Sequence, residues 1–196
     1  MSVLGELQPN KVFKYFEEIC SIPHGSRNLQ QISDYLVDFA KAHELKYRQD
    51  EDLNVIIWKD GSKGYEASEP VILQGHMDMV AVKEADCDKD MEKEGLDLEI
   101  NGDYISAKGT SLGGDDGIAV AYTLAVLDDE EMAHPPIEAI FTVNEEIGML
   151  GAATIDVSDL KGRLFMNMDS EDEGVFTVSC AGGASVICKI PYETET

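Results

Sequence analysis

Hydrophobic residues recur with a helical period in the first quarter of the chain. One set lies between Asn10 and Cys20, and a second lies between Asn28 and His43. The second set comprises Leu29, Ile32, Leu36, Phe39 and Ala40. This spacing predicts two amphipathic helices, with Asn28 as the N-cap of the second.

The pattern then changes to short runs of β-branched and aromatic residues, which are typical of strands. The predicted strands cover residues 47–49, 54–58, 71–73, 96–100, 104–106, 137–143 and 164–168. Asn101-Gly102 favours a two-residue hairpin between the fourth and fifth of these strands, because this dipeptide accepts positive φ angles.

A helix is predicted at 118–127, where nearly every residue is apolar and a helix would be buried on most sides. A shorter helix is expected between the last two strands. The second half of the chain therefore alternates strands and helices, which indicates an α/β sheet with crossover connections and an added antiparallel hairpin.

Length and charge narrow the range of functions. A chain of 196 residues fits one domain of ordinary size. It carries 15 basic and 39 acidic residues, a formal net charge of −24, so nucleic-acid backbones and anionic membrane surfaces would repel it. We therefore expect neither a nucleic acid nor a membrane as partner.

The chain offers no sign of export. It lacks the roughly 20 consecutive apolar residues of a membrane-spanning helix, and its first residues do not resemble a signal peptide. Its four cysteines form no CxxC pair and are too few for a disulfide framework. We expect a cytoplasmic protein with reduced thiols.

Polar residues with metal-binding side chains follow three of the predicted strands. They are His76 and Asp78 after 71–73, Glu145 and Glu146 after 137–143, and Asp169 after 164–168. A glycine-rich loop at 113–117 adds Asp115 and Asp116. In open α/β sheets, ligands bind at the carboxyl ends of the strands, so these side chains are expected to converge.

Taken singly, each of these residues fits an ordinary structural role, such as a buried histidine or a solvated strand end. Together they are informative, because carboxylates gathered in a site of low dielectric constant repel unless cations or protons hold them. One histidine with several carboxylates suits Zn²⁺, and Mn²⁺ or Co²⁺ would fit the same donor set.

The motifs resemble those of the cocatalytic zinc exopeptidases that include aminoacylase. They are GHMDMV at 75–80, LGGDDGIA at 112–119, NEEIG at 144–148 and NMDS at 167–170. Within that family they are most similar to the aminoacyl-histidine dipeptidases, as are IPHGS at 22–26 and TSLG at 110–113. The similarity spans essentially the whole chain.

The resemblance implies a role for each site residue. His76 and Asp169 would bind one zinc, Glu146 would bind a second, and Asp115 would bridge the two. Glu145 would be the general base of catalysis. Asp78 would hydrogen-bond the imidazole of His76 and fix its tautomer. The resemblance also suggests a cis peptide bond between Asp115 and Asp116.

The resemblance further implies a three-layer fold with a mixed, mainly parallel central sheet flanked by helices. In this family a histidine near the C-terminus completes the second zinc site, and a lid domain supplies dimer contacts and substrate contacts. Neither lies within 196 residues. We therefore expect residues 1–185 to be the N-terminal part of the catalytic domain and residues 186–196 to begin the crossing into the lid.

The function implied is hydrolysis of short peptides, with release of the N-terminal residue from dipeptides of the Xaa-His type, by a water activated between two zinc ions. The full-length protein would be the active form, with a homodimer formed through the lid, and this chain alone would be inactive or nearly so. Two alternatives stay open at this point. One is an aminoacylase, deacetylase or tripeptidase of the same family, and the other is a metal-binding module without catalysis.

Overall fold

The fold described here comes from a computed structural model. It describes residues 2–170, 174–179, 182 and 186–192. The helices are α1 (Asn10–Cys20), α2 (Gln30–Ala42), α3 (Gly114–Leu127) and α4 (Leu150–Thr154). The strands are β1 (Lys46–Gln49), β2 (Val55–Lys59), β3 (Val71–His76), β4 (Leu98–Asn101), β5 (Tyr104–Ala107), β6 (Ile137–Thr142) and β7 (Leu164–Asn167).

Five of these strands form one sheet, in the order β1-β2-β6-β3-β7. Strand β2 runs antiparallel to both β1 and β6, whereas β3 runs parallel to both β6 and β7. The mixed sheet predicted from the sequence is therefore confirmed. Because β3, β6 and β7 run in the same direction, their carboxyl ends meet at one edge of the sheet.

Each face of the sheet carries its own apolar cluster, because successive side chains of a strand point to opposite faces. The larger cluster includes Phe141, Ile57 and Leu73, and it joins the sheet to α1, α2 and α3. The smaller cluster contains Ile56, Ile72 and Ile140 on the opposite face, where Ile155 and Leu160 pack against it. The central strands are thus buried on both sides.

The two amphipathic helices predicted near the N-terminus are confirmed as α1 and α2, but the predicted cap of α2 is wrong. Leu29 occupies the N-cap position and makes no side-chain capping bond. The side-chain amide of Asn28 instead donates to the carbonyl of Glu92, 2.8 Å away. A distant backbone acceptor, rather than the first turn of the helix, satisfies this side chain.

The predicted hairpin is confirmed as β4 and β5, with the turn displaced by one residue. Asn101 pairs with Tyr104 as the last residue of β4, so Gly102 and Asp103 form the turn. Gly102 adopts a φ of 64°, a conformation that glycine accepts without strain. The register of the ladder therefore gives the left-handed position to glycine instead of Asn101.

Strand β7 lies at the edge of the sheet and is paired on one side, with β3. Its residues Leu164, Phe165 and Met166 are all exposed, unlike those of the neighbouring strand β3.

In the part of the chain that the structure describes, no helix is long and apolar enough to span a membrane.

We predict that Phe141→Ala lowers the free energy of unfolding by roughly 3–5 kcal/mol, because the ring is fully buried between the sheet and the helices. Urea denaturation followed by circular dichroism measures this change. Tyr104→Ala is the control, since its ring is 78% exposed, and it should change stability by less than about 0.5 kcal/mol. Equal effects of the two substitutions would contradict the assignment of the core.

Candidate metal centre

The carboxyl ends of two parallel strands and the start of α3 bring the predicted site residues together. His76 is the last residue of β3, and Glu145 and Glu146 follow the end of β6. Asp115 lies in the first turn of α3. His76, Asp115 and Glu146 each offer a ligand atom, and these three atoms lie within 4.8 Å of one another.

The first turn of α3 has an irregular backbone. Asp115 and Asp116 have φ and ψ angles outside the helical region, and the peptide bond between them is cis, as the resemblance implied. Gly113, which precedes the helix, has a φ of 68° and lies against the side chain of Met79. A Cβ at this glycine would approach the sulfur of Met79 to 2.9 Å, so the loop can lie this close only with glycine there.

His76 is the centre of the cluster, and its ring is almost completely buried. Its Nε2 atom lies 2.9 Å from Oδ1 of Asp115 and 4.0 Å from Oε2 of Glu145. Its Nδ1 atom lies 2.9 Å from the backbone carbonyl of Asp78 and 3.5 Å from the carboxylate of that residue. A proton on Nδ1 would leave Nε2 free to bind a cation, which is the orientation that metal-binding histidines adopt.

Asp78 contacts three different segments of the chain. Besides His76, its Oδ1 atom accepts the backbone N–H of Glu145 at 3.0 Å, and its Oδ2 atom accepts the hydroxyl of Ser26 at 2.7 Å. Burial alone would raise the pKa of Asp78, but the bonds from His76, the Glu145 N–H and Ser26 lower it below its usual value. The carboxylate therefore stays ionised inside the protein.

Asp116 was expected to converge on the site but was given no role there, and the structure buries it directly behind His76. Its Oδ2 atom accepts the backbone N–H of His76 at 3.1 Å. The absence of a side chain at Gly75 makes room for it, since a Cβ there would lie 2.7 Å from the same oxygen. The sequence signal was this glycine before His76, combined with a second aspartate after Asp115.

Electrostatic coupling shifts the titration of these groups. Burial by itself lowers the pKa of His76, but its hydrogen bond to Asp78 and the charge of Asp116 outweigh that effect and raise the pKa to about 10. Burial raises the pKa of Asp116 to about 7, even though His76 opposes the shift. Burial and the neighbouring carboxylates also raise the pKa of Glu145 and of Glu146.

Asp169 lies beside this cluster but does not belong to the three-residue group. It lines a small cavity of about 230 Å³ with Asp115, Asp116 and Met168. Its negative charge raises the pKa of Asp116 and of Glu145.

His24, His43 and His134 lie outside the group, as expected from the sequence. His24 is nonetheless buried close enough for Asp78 to influence its pKa, which burial lowers.

Within the described ranges, the ion pairs of Asp115 and Glu145 involve His76 and no lysine or arginine. Two carboxylates and an imidazole are hard and intermediate donors, a set that suits a divalent metal ion. The residues present therefore fit a metal ion as the group that offsets their mutual repulsion.

Comparison with known proteins finds relatives that are similar over most or all of the chain. It is 38% identical, over 195 residues, to the cytosol non-specific dipeptidase of Escherichia coli (strain K12) and spans 40% of that relative's length. The structure of aminoacylhistidine dipeptidase from Vibrio alginolyticus matches with a TM-score of 0.85 at 40% identity. That match covers 87% of this chain and 35% of the Vibrio chain.

A more distant structure shares the fold alone. The tripeptidase from Staphylococcus aureus matches with a TM-score of 0.69 at 23% identity, over 86% of this chain and 45% of the other. No protein-family profile matches the chain. The mixed sheet with flanking helices is therefore shared with peptidase structures of which the match covers less than half.

We predict that the metal-free chain becomes less stable as the pH rises from about 6.5 to about 10. The pKa of His76 is raised from 6.5 to about 10, so the stability it contributes is complete below 6.5 and is lost as the pH rises through 10. The pKa of Asp116 is raised from 3.8 to about 7, so its contribution is likewise lost as the pH rises through 7.

Urea denaturation in the presence of a chelator, repeated across this pH range, measures the effect. His76→Gln is the control, because it lacks the titrating imidazole and should lose stability less steeply between pH 7 and 10. The prediction fails if the wild-type chain gains stability over that range, or if the two proteins show the same pH dependence.

Proposed function

We propose that the protein is a metallopeptidase of the dipeptidase family that its motifs indicated, and that it hydrolyses dipeptides. One observation carries the proposal. The ligand atoms of His76, Asp115 and Glu146 lie within 4.8 Å of one another. Glu145 lies beside them, and its backbone N–H donates to Asp78. We propose that a Xaa-His dipeptide is the preferred substrate and that its N-terminal residue is released.

In this proposal the site would hold two zinc ions. His76 and Asp169 would hold the first, Glu146 would hold the second, and Asp115 would be shared by both. When bound, the metal ions supply Lewis acidity, which polarises the scissile carbonyl and lowers the pKa of water. The close approach of Asp115 and Glu146 to the imidazole supports this assignment, and so does the position of Asp169 against the first turn of α3.

Glu145 is the proposed general base. It removes a proton from the attacking water and then delivers that proton to the leaving amine, so the peptide C–N bond breaks as the amine becomes neutral. A base works best when its pKa lies near the working pH, and burial together with Asp169 raises the pKa of Glu145 in that direction. The hydrogen bond from the backbone N–H of Glu145 to Asp78 fixes the backbone position from which the Glu145 side chain extends.

The imidazole is held in place by the chain itself. The backbone carbonyl of Asp78 contacts Nδ1, and the carboxylate of Asp116 accepts the backbone N–H of His76. Together they restrict both the rotation of the ring and the position of its backbone. A ligand held this firmly loses little entropy on binding a metal ion.

The rest of the protein's organisation stays a prediction. It includes the assignment of residues 1–185 to the catalytic domain, the start of a crossing into a lid at residues 186–196, a homodimer formed through that lid and the cytoplasmic location. The inactivity of this chain alone is also a prediction. That expectation is supported by the ligand inventory, because the proposed second zinc has Glu146 and the shared Asp115 but no histidine of its own among the described residues.

We predict that Glu145→Gln in the full-length protein lowers kcat for a Xaa-His dipeptide by about 100- to 10,000-fold, the usual contribution of a general base. The zinc content should stay unchanged, since this side chain is not a proposed ligand. Glu51→Gln is the control, because Glu51 is an exposed carboxylate in the turn between β1 and β2.

Wild-type turnover by Glu145→Gln would rule out the mechanism. A panel containing dipeptides, a tripeptide and an N-acyl amino acid, tested on the wild-type protein, separates the proposed activity from the aminoacylase and tripeptidase alternatives. Retained zinc with no turnover of any of these substrates would instead favour the non-catalytic metal-binding module.

We predict that the 196-residue chain binds at most one zinc ion tightly. Elemental analysis after dialysis against limiting zinc measures the stoichiometry. His76→Ala should abolish tight binding, whereas His43→Ala should not, because His43 pairs with Asp128 away from the group. Two tightly bound zinc ions per chain would contradict the proposed ligand set.

A further inference from the structure

The segment between α1 and α2 lies against the exits of two strands that form the site. Gly25 and Met79 form a parallel bridge, in which Met79 donates its N–H to the carbonyl of His24 and Ser26 donates to the carbonyl of Met79. Two residues further along, the N–H of Arg27 donates to the side chain of Asn144 at 2.8 Å. One segment thus contacts both the chain that follows β3 and the chain that follows β6.

The close approach of this segment depends on Gly25. A Cβ at this position would lie 2.7 Å from the Cβ of Ala81, which is closer than two carbon atoms can pack. With glycine there, the next residue, Ser26, comes within hydrogen-bonding distance of Asp78. Its hydroxyl donates to Oδ2 of that carboxylate at 2.7 Å.

The hydroxyl of Ser26 has no part in the local turn. That turn is closed by backbone groups alone, through the bond from the N–H of Asn28 to the carbonyl of Gly25. The partner of the hydroxyl lies 52 residues away in sequence, in the carboxylate that contacts both His76 and Glu145. A residue needed only for the turn would not require this contact.

We propose that Ser26 is a positioning residue that acts through Asp78, with its hydroxyl holding the Asp78 carboxylate in the orientation that aligns His76 and Glu145. The two oxygens of Asp78 contact different partners. Oδ1 faces the N–H of Glu145 and the ring of His76, and Oδ2 accepts the hydroxyl of Ser26. Removing the Ser26 donor leaves a buried oxygen unpaired, so the carboxylate would rotate to find another donor.

The consequence would reach both functional groups. Rotation of the Asp78 carboxylate would break its 3.5 Å contact with Nδ1 of His76, leaving that nitrogen only the backbone carbonyl of Asp78, and would release the backbone of Glu145. Partners behind a metal ligand commonly change metal affinity or activity 10- to 100-fold when they are removed. Ser26 is one contact further away, so we expect about a tenfold effect. The part of the inference that concerns turnover rests on the proposed function, whereas the part that concerns metal binding does not.

The test compares Ser26→Thr with Ser26→Val, because the two side chains have nearly the same shape and differ in the hydroxyl. Ser106→Ala is the matched control, since Ser106 also donates to a carboxylate, that of Glu99, but lies in the β4–β5 hairpin. The first readout is the Co²⁺ dissociation constant of the chain, measured by absorption. The second is the kcat and KM of the full-length protein with a Xaa-His dipeptide.

We expect Ser26→Val to bind Co²⁺ about tenfold more weakly and to lose about tenfold in kcat, with KM changed less than about twofold. Ser26→Thr and Ser106→Ala should match the wild type within about twofold in both readouts. Long-range ¹H–¹⁵N spectra of the metal-free chain should also show an altered His76 ring signal in Ser26→Val alone. Urea denaturation confirms that each variant is folded.

Wild-type Co²⁺ affinity in a folded Ser26→Val variant would overturn the proposal. So would equal losses in the Thr and Val variants, because the hydroxyl would then be irrelevant, and so would a wild-type chain that binds no Co²⁺. If the full-length protein hydrolyses no dipeptide while Ser26→Val still weakens Co²⁺ binding, the proposed function fails and the positioning role stands.

Discussion

The mutual repulsion of carboxylates around one buried imidazole is the constraint on which the rest of the site depends. Asp78, Asp115, Asp116 and Glu145 all lie within the electrostatic reach of His76. In a site of low dielectric constant these charges could not stay together without a positive partner. In the metal-free chain that partner is a protonated His76, which explains the elevated pKa. A metal ion would take the same place and displace the proton.

The fold brings these charged side chains together by fixing the backbone positions of the residues that carry them. The parallel pairing of β3 with β6 places His76 level with Thr142, two residues before the chain reaches Asn144 and the two glutamates. The buried helix α3 packs against β3, so that the carboxylate of Asp116 accepts the N–H of His76 in the space left by the missing side chain of Gly75. These contacts are made by the core, and the core is therefore a condition for the chemistry.

The exposed edge of the sheet lies beside this well-packed centre. Asp169 follows strand β7 and lies at the rim of the site, and Leu164, Phe165 and Met166 in that strand are all exposed. Of the candidate ligands, His76 at the end of β3 is almost completely buried, whereas Asp115 and Asp169 are both exposed. The candidate site is therefore most firmly packed at His76, where β3, β6 and α3 meet.

The sequence by itself determined most of the helices and strands and indicated the candidate site residues. Periodicity identified α1 and α2. The polar residues after the apolar runs indicated His76, Glu145, Glu146 and Asp169, and the glycine-rich loop indicated Asp115, because these signals are local. Tertiary structure decided what depends on pairing between distant segments. The register of β4 and β5 moved the turn to Gly102, a contact with Glu92 took Asn28 away from the helix cap, and the packing of α3 on β3 buried Asp116. The bond from Ser26 to Asp78 joins residues 52 positions apart, a separation that a pattern of neighbouring residues does not encode.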